Sequence, residues 1–434
     1  MYREISKLIM YGDMDKDCIL YQFGEIFRHY ENKTKDQAQL IQDIYTQVKR
    51  LLVVATDYGF DHNLWHNYLA FYLVTNENPF SITCEKVGAN DGSVNHFAKN
   101  DFAVIKNLFD YDFSKIEEDL GIDCFSQLSD YHAIQKKELM YNKNVSEKII
   151  ALSAQLEAAE DVDAFFAAVT GFYKDYGVGM FGLNKAFRIK EKDGGDVEFV
   201  AINNMDKVML DDLIGYEIQK KKLVDNTKAF VEGRAANNVL LYGDAGTGKS
   251  STVKAIANEF AADGLRLVEV KKNQLYQIPD LMDKLAANPL KFILFIDDLS
   301  FTANDDNFAA LKAILEGSVG GRARNIAVYA TSNRRHLIRE SMADRQGDDV
   351  RVRDTLETVT SLSDRFGLEI TFSVPDKDES LYIVEQLADE SGLALERDEL
   401  HLLAERFALR RNGRSPRTAR QFISQQLAER YGNA

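Results

Sequence analysis

The stretch Gly243-Asp244-Ala245-Gly246-Thr247-Gly248-Lys249-Ser250 decides how this chain folds. It fits the phosphate-binding loop pattern, in which a glycine and four variable residues precede Gly-Lys-Ser or Gly-Lys-Thr. The apolar run 239–242 before it is typical of a buried strand, and residues 251–260 after it repeat with a helical period. Glycines let backbone N–H groups approach a polyphosphate, and a helix N-terminus attracts anions. We therefore predict a phosphate-binding unit rather than a glycine-rich turn without a ligand.

The polar side chains of this loop have defined tasks in such a unit. Lys249 can reach the β- and γ-phosphates of a nucleotide, and the hydroxyl of Ser250 can bind Mg²⁺. The residues that we expect to contact the nucleotide are Gly243, Asp244, Ala245, Gly246, Thr247, Gly248, Lys249, Ser250 and Ser251.

A second apolar run, residues 291–296, ends in the two carboxylates of Asp297 and Asp298. In a sheet with helices on both faces, the carboxyl end of such a strand lies beside the bound phosphates. We expect Asp297 to hold Mg²⁺ through water and Asp298 to orient or deprotonate the attacking water. The alternative is an acidic strand end that caps the next helix, but the phosphate loop upstream favours a magnesium–nucleotide site.

The second half of the chain alternates strand and helix patterns, which is typical of a parallel α/β sheet. The predicted strands are residues 239–242, 265–270, 291–298, 327–331 and 368–374. The predicted fold class is therefore α/β, with a five-stranded parallel sheet, a C-terminal helical lid and a mostly α-helical N-terminal domain. The expected domains are residues 1–205, 206–375 and 376–434.

Residues 1–180 show helical periods, and a β-hairpin over about 187–202 is expected to end the N-terminal domain. The expected helices are residues 36–58 and 64–74, a helix capped by Ser146, and a helix from Asp161 to Gly177. The spacing of His62 and His66 would let them share a helix face with Asp61 as metal ligands. No further ligands are evident in the sequence, so a polar face of an amphipathic helix is favoured.

Charge and composition narrow the function classes. The net charge is −15, and residues 1–200 hold 21 Lys+Arg against 32 Asp+Glu, which disfavours an extended nucleic-acid surface. The 3 cysteines are widely spaced, as expected for reduced thiols rather than for disulfides or a zinc site. No signal pattern opens the chain, and no apolar run approaches the ~20 residues of a membrane helix. We therefore expect a cytoplasmic protein without a membrane partner.

The order of the motifs resembles that of the AAA+ ATPases over about residues 206–434. After the phosphate loop and the two acids come Asn333 behind the fourth strand, Arg365-Phe366 before the fifth, and Arg417 at a helix start. In detail the chain looks closest to an uncharacterised bacterial AAA+ family catalogued as a domain of unknown function. The stretches that carry this likeness are residues 243–250, 292–301, 330–337 and 417–422.

The resemblance implies roles outside the phosphate loop. It implies that Ile214 and Gly215 contact adenine and that Asn333 hydrogen-bonds the γ-phosphate or the lytic water. It also implies that Arg417 reaches the γ-phosphate from the lid, and that Arg365 completes the site of a neighbouring subunit. A surface salt bridge is the alternative for either arginine, and the competing candidates are Arg334, Arg335 and Arg414.

Two positions depart from the family pattern. The second acid of the strand is usually Glu, and Asp298 is one methylene shorter, which predicts slow turnover unless the backbone compensates. Protein-threading members carry an aromatic–apolar–glycine loop after the second strand, whereas Tyr276 has no glycine behind it. We expect Tyr276 in the core and therefore no threading unfoldase.

These features predict an ATPase that hydrolyses Mg·ATP to remodel a macromolecular client. We expect a ring or spiral of identical subunits in which Arg365 acts in trans, with residues 1–205 contacting an unknown protein client. The alternative is an ATP-dependent switch or loader whose hydrolysis is slow or stimulated by a partner. A nucleic-acid channel is less favoured than solvated loop charges for the basic residues Lys271, Lys272, Arg322 and Arg324.

Overall fold

The chain forms two compact units in the computed structural model, Met1–Asn184 and Lys185–Ala434. The structure describes residues 1–134, 143–191, 197–202, 205–286, 288–301, 306–316, 323–333, 364–411 and 413–431. Within these ranges no helix is both long enough and apolar enough to cross a bilayer.

The described residues of the first unit form mostly helices joined by loops, as predicted. Its helices are α1 (Tyr2–Ile5), α2 (Ile19–Asn32), α3 (Gln37–Tyr58), α4 (Leu64–Thr75), α5 (Pro79–Val87), α6 (Ser93–Phe109), α7 (Ser114–Leu120), α8 (Cys124–Ser129), α9 (Lys143–Glu157), α10 (Val162–Tyr176) and α11 (Gly179–Leu183). Their aromatic side chains form the core, where Trp65 packs edge-on against Phe23 and Phe113 at 5.7 Å. These aromatics are therefore core residues, as the sequence predicted, and not a platform for stacked bases.

Two of the predicted helices begin with a capping side chain. The Asp36 carboxylate accepts the Gln39 N–H at the start of α3, and the Asp161 carboxylate accepts the Ala164 N–H at the start of α10. Gly177 follows α10 with φ 85°, as expected for a residue that ends a helix.

Two predictions for this unit are wrong. Ser146 lies inside α9 and not at its start, because its buried hydroxyl donates to the Gly59 carbonyl across the core at 2.9 Å. His62 does not share a helix face with His66. It precedes α4 with φ 63° and pairs its backbone with Tyr131, whereas the His66 ring lies 2.9 Å from the Phe109 carbonyl.

The second unit is built on one sheet whose strands are β1 (Ala186–Glu191), β2 (Val197–Ala201), β3 (Val239–Gly243), β4 (Leu265–Glu269), β5 (Lys291–Ile296), β6 (Ile326–Ser332) and β7 (Leu368–Phe372). The strand order is β2-β1-β4-β5-β6-β3-β7. All neighbours are parallel except β1 and β2, which form an antiparallel hairpin. The five predicted strands are β3 to β7, and their parallel arrangement is confirmed.

The predicted strand number is wrong, since the described sheet has seven strands rather than five. The extra two are the hairpin that was expected to end the N-terminal domain. Its strand β1 pairs with β4 through Phe187 and Val268, so the hairpin belongs to the second unit. The hairpin turn itself lies outside the described residues.

Helices cover the sheet and form the lid of the second unit. Those around the sheet are α12 (Glu217–Val231), α13 (Lys249–Glu259), α14 (Ile278–Ala286) and α15 (Asp306–Glu316), with short 3₁₀ turns at Lys272–Gln277 and Asp364–Phe366. The lid consists of α16 (Lys377–Glu390), α17 (Arg397–Arg410) and α18 (Pro416–Tyr431). The lid has its own apolar core, and Ile214 from the loop before α12 packs against it. This contact brings the predicted adenine-binding segment and the lid together.

Candidate functional site

The phosphate-loop residues form the turn between β3 and α13. Gly243 ends β3 with φ 133°, and a Cβ atom there would lie 2.1 Å from the carbonyl oxygen of Phe372. Gly248 precedes α13 with φ 94°. L side chains rarely adopt either conformation, which explains why the pattern requires glycine. The helix begins at Lys249, so its first N–H groups belong to the loop.

Lys249 is almost fully buried under the loop. Its ammonium donates to the carbonyl oxygens of Gly243 at 3.0 Å and Asp244 at 2.6 Å. Burial lowers the pKa of Lys249, and the carboxylates of Asp244, Asp298 and Asp297 partly offset this effect. The cation that was predicted to reach phosphates therefore lies among three acids, inside the loop that would surround a polyphosphate.

Two hydroxyl groups meet the first acid at the end of β5. The Ser250 hydroxyl donates to Asp297 Oδ1 at 2.6 Å, and the Thr331 hydroxyl donates to the same oxygen at 2.5 Å. The predicted metal-binding pair, Ser250 and Asp297, is thus brought together. Hydroxyl and carboxylate oxygens are the ligands that Mg²⁺ accepts in nucleotide sites, and the cation usually keeps several waters. Among the described residues no cluster of three or more His, Cys, Asp or Glu is arranged to hold a metal ion.

The second acid is in contact with the predicted sensor residue. Asn333 donates its side-chain amide to Asp298 Oδ1 at 2.8 Å. Asp298 has φ 52°, a left-handed conformation that is uncommon outside glycine. Its N–H donates to the Thr331 hydroxyl at 2.9 Å, so one hydroxyl contacts both acids. Strain of this kind persists where the surrounding contacts hold it, and it clusters at functional sites.

The role of the Thr331 side chain was not predicted from the sequence. Ile296 and Ala330 are partners in the β5–β6 register, so Asp297 and Thr331 follow next to each other at the carboxyl edge. Thr331 was assigned only as the last residue of a strand. The signal that identifies it is the pairing of β5 with β6, which a single sequence does not state.

A cavity of about 290 Å³ lies beside the loop and under the lid. The predicted contact residues Ile214, Gly215, Gly246, Thr247, Gly248, Ser251 and Arg417 all line it. Lys220 and Arg420 line it as well and were not predicted. None of the described lining residues is Asp or Glu, and Lys220 is already paired with Glu217 at 2.7 Å, so Arg417 and Arg420 are the lining cations that favour an anionic ligand. Gly215 has φ 83° and packs close to Ile383 of the lid.

The two predicted arginines lie at opposite ends of the parallel strands. The backbone N–H of Arg417 donates to the Gly246 carbonyl at 3.2 Å, which fixes the start of α18 on the phosphate loop. Arg365 precedes β7, whose first residue Leu368 pairs with Val239 at the start of β3. The phosphate loop follows the opposite end of β3. Arg365 is therefore separated from its own chain's loop by the length of a strand, about 13 Å for five residues.

Of the arginines that compete with Arg365 and Arg417 for the predicted roles, the structure describes Arg414. Arg414 makes a two-point contact with Glu405 within the lid, at 3.0 and 3.3 Å. Arg334 and Arg335 lie outside the described residues, as does Arg322 of the basic group. Arg324 is exposed.

Tyr276 is not a core residue, so that prediction is wrong. It is 57% exposed, and its hydroxyl donates to Glu191 at 3.0 Å. The neighbouring Lys272 places its ammonium 5.1 Å from the Phe301 ring. Gln274 of the same 3₁₀ turn also donates to the Ile189 carbonyl. Two hydrogen bonds therefore join this turn to the hairpin strand β1.

A phosphate loop between a buried parallel strand and a helix, an acid pair beside Asn333, and a helical lid next to the cavity define this chain as a P-loop α/β protein. More narrowly, the chain belongs to the family described as "Protein of unknown function (DUF815)", which matches residues 183–430. The likeness to a family of unknown function that the sequence predicted is thereby confirmed.

Solved structures with a similar arrangement include two of RuvB from Thermotoga maritima. The structure named as the Holliday junction branch migration motor is 18% identical, with a TM-score of 0.36. A variant of the same RuvB with a single substitution is 20% identical, with a TM-score of 0.37. Each match covers 51% of this chain and 65% of the RuvB chain, slightly less than two thirds of its length. No curated protein matches the chain.

Proposed function

We propose that this chain is an ATPase that binds and hydrolyses Mg·ATP to drive conformational remodelling of a macromolecular client. The observation that carries the proposal is the contact of Ser250 with Asp297 at the base of a glycine loop whose helix begins at Lys249. A hydroxyl, a carboxylate and a buried ammonium within one loop form the donor set that a magnesium–polyphosphate ligand requires. Ser250 and Asp297 would hold Mg²⁺, which would supply positive charge against the negative charge that develops during phosphoryl transfer.

The base and sugar of the nucleotide have a separate place in this proposal. The cavity beside the loop has apolar walls from Ile214 and Ile383, and cations at Lys220, Arg417 and Arg420. A volume of about 290 Å³ is of the size of small-ligand pockets. Ile214 and Gly215 would contact the adenine ring, while Arg417 would extend from α18 towards the γ-phosphate.

The chemical step falls to Asp298 and Asn333 in this proposal. Asp298 would accept a proton from the attacking water or orient that water, and Asn333 would fix the carboxylate through its 2.8 Å hydrogen bond. Lys249 would bind the β- and γ-phosphates once its contacts with the loop carbonyls are exchanged for phosphate oxygens. Positioning and charge stabilisation account for most of the catalysis in phosphoryl transfer.

Arg365 would act on the site of a neighbouring subunit. The strand that separates it from its own phosphate loop supports a role in trans. A guanidinium supplied by a second copy stabilises transition-state charge and makes hydrolysis depend on assembly. The proposal therefore includes a ring or spiral of identical subunits, with the helical N-terminal residues as the contact for a protein client.

Steady-state Mg·ATP hydrolysis measured against protein concentration tests the proposal. Specific activity should rise with concentration, and Lys249→Ala and Arg365→Ala should each abolish it. Arg234→Ala is the matched control, since Arg234 pairs with Glu232 on the surface. Mixing the two inactive variants one to one should restore activity at roughly a quarter of the interfaces, where an intact loop meets an intact arginine. Activity that is independent of concentration, with no recovery on mixing, would contradict a shared site.

A second candidate is an ATP-dependent switch or loader that hydrolyses slowly. The observation that favours it is Asp298, a short acid in a left-handed conformation that is already engaged by Asn333. Asp298→Asn separates the two functions. If client action survives in this variant with ATP present, the switch is supported, and if it disappears together with turnover, the motor is supported.

A further inference from the structure

The phosphate loop holds the junction between the sheet and the lid through one side chain. The Asp244 carboxylate accepts the Val374 N–H at 2.8 Å, and the Asp244 N–H donates to the Phe372 carbonyl at 2.9 Å. Asp244 thus binds the chain on both sides of Ser373, directly after β7. The lid helix α16 begins at Lys377, so only two residues separate Val374 from that helix.

The same junction is held from the side of the adenine-binding segment. The Tyr216 hydroxyl donates to the Ser373 carbonyl at 2.7 Å, and its ring packs on Phe372 with a centroid distance of 5.1 Å. Tyr216 follows Gly215 directly and lines the cavity. Both segments that surround the proposed nucleotide therefore bind one short stretch of backbone, residues 372–374.

A second contact joins the loop to the far end of the lid. The Gly246 carbonyl accepts the Arg417 N–H at 3.2 Å, and a Cβ atom on Gly246 would lie 2.9 Å from the Ser415 hydroxyl. The loop consequently touches the chain just before the first lid helix and at the start of the last lid helix. A change in the loop between Asp244 and Gly246 would act on both ends.

The negative charge of Asp244 is unfavourable for the binding of phosphate at this position. A negative charge in a polyphosphate-binding loop repels the ligand, and Asp244 lies close enough to Lys249 to raise its pKa against the effect of burial. Alanine would preserve the loop backbone there and would leave the Val374 N–H without its acceptor. A hydrogen bond to an ionised acceptor is stronger than one between neutral groups. The geometry therefore favours a role in holding the lid junction.

We propose that Asp244 is a positioning residue that couples nucleotide occupancy of the phosphate loop to the position of the lid. This inference rests on the proposed function, because it requires that the loop binds a nucleotide. When the loop rearranges around phosphates, the Asp244 carboxylate carries residues 372–374 with it, and α16 follows. Without the carboxylate, the loop binds phosphate but no longer directs the lid.

Hydrogen exchange on the full-length protein tests this coupling. Four proteins are compared, each free and with saturating Mg·ADP: the wild type, Asp244→Ala, Asp244→Asn, and the surface control Asp263→Ala. Exchange is followed at the Val374 amide and across residues 377–390, and a fluorescent ADP analogue gives each dissociation constant. The asparagine variant retains a side-chain oxygen as acceptor, whereas alanine removes it.

In Asp244→Ala without nucleotide, exchange at Val374 should be about three- to tenfold faster, as for one partly screened hydrogen bond. Mg·ADP should slow exchange over residues 377–390 in the wild type, in Asp244→Asn and in the control, but not in Asp244→Ala. Unchanged exchange at Val374, or normal protection of the lid in Asp244→Ala, would overturn the coupling. Absence of ADP binding by the wild type would instead refute the proposed function, so the two failures are distinguishable.

Discussion

Replacing Thr331 with valine removes the one hydroxyl that contacts both acids and keeps the shape of the side chain. In the wild type this hydroxyl donates to Asp297 Oδ1 at 2.5 Å and accepts the Asp298 N–H at 2.9 Å. Thr331 is only 2% exposed, so water does not readily replace the lost group. After the substitution, Asp297 keeps Ser250 as a donor, and the Asp298 N–H keeps a longer contact of 3.2 Å to Asp297.

The expected cost follows from these two contacts. A hydrogen bond to a charged acceptor contributes about 1.5–3 kcal/mol, and the partly buried Asp298 N–H loses its better partner at a cost of about 1 kcal/mol, while solvent at the exposed acids keeps the sum near the lower end. Part of the lost interaction energy lowers the free energy of unfolding. The rest raises the barrier of the chemical step, because the Asp298 carboxylate is no longer held in place. If about 2 kcal/mol appears in the transition state, kcat falls about 30-fold. Nucleotide affinity should change much less, because Lys249 and the loop backbone do not contact Thr331 in the described hydrogen bonds.

The assay is steady-state ATP hydrolysis with a parallel binding titration, on Thr331→Val and on Thr331→Ser. Serine retains the hydroxyl and should keep kcat within about threefold of the wild type. Valine should lose about 30-fold in kcat with little change in the dissociation constant. If valine and serine variants have the same kcat as the wild type, the hydroxyl does not position the acids and the reasoning fails.

Three further predictions concern other parts of the chain. Gly243→Ala should lower the melting temperature more than Gly248→Ala, because both glycines have a positive φ that strains alanine but only the Cβ at 243 also meets a neighbour, the Phe372 carbonyl at 2.1 Å; equal shifts in a thermal melt would contradict the close contact. Asp298→Asn should reduce turnover at least about 100-fold and leave ATP affinity within a few-fold, since an amide oxygen can still accept from its neighbour but cannot take a proton; normal turnover would exclude Asp298 as the general base. Asp101→Ala should lower the melting temperature of the helical unit, because the fully buried carboxylate accepts the N–H groups of residues 9–11; its ATP affinity should match the wild type, and an unchanged melt would refute this role.

The parts of the fold that could be predicted are those that depend on residues close together in the sequence. The strands β3 to β7 are apolar runs because helices cover both faces of a parallel sheet. The glycines at 243 and 248 and the caps at Asp36 and Asp161 depend on the conformation of their own few residues. These signals survive folding because tertiary contacts do not oppose them.

The errors arise where a distant contact decides the outcome. The hairpin joins the sheet because Phe187 pairs with Val268. The residues next to Phe187 in the sequence do not identify that partner. Ser146 resembles a helix cap but bonds to Gly59 from inside α9. Tyr276 is an aromatic residue next to Leu275, yet its hydroxyl donates to Glu191 of the added strand and its side chain remains exposed.

The candidate site divides in the same way. The loop and Asp297 follow from a spacing that reflects their chemistry, and the contact of Asp298 with Asn333 follows from strands that end at one edge. Thr331, Lys220 and Arg420 were missed because each contributes through its place in the folded unit. Threonine at a strand end and lysine on a helix are common, and only the register or the cavity distinguishes them.

The most direct test of the account is calorimetric titration of Mg·ATP into the wild type, Lys249→Ala and Lys254→Ala. Lys254 lies on the same helix but pairs with Asp206 at 2.8 Å, so it controls for loss of a lysine there. We expect saturable, magnesium-dependent binding by the wild type and by Lys254→Ala, and binding weakened at least about tenfold in Lys249→Ala. Equal affinity in all three proteins, or no binding by the wild type, would contradict a magnesium–nucleotide site at the phosphate loop.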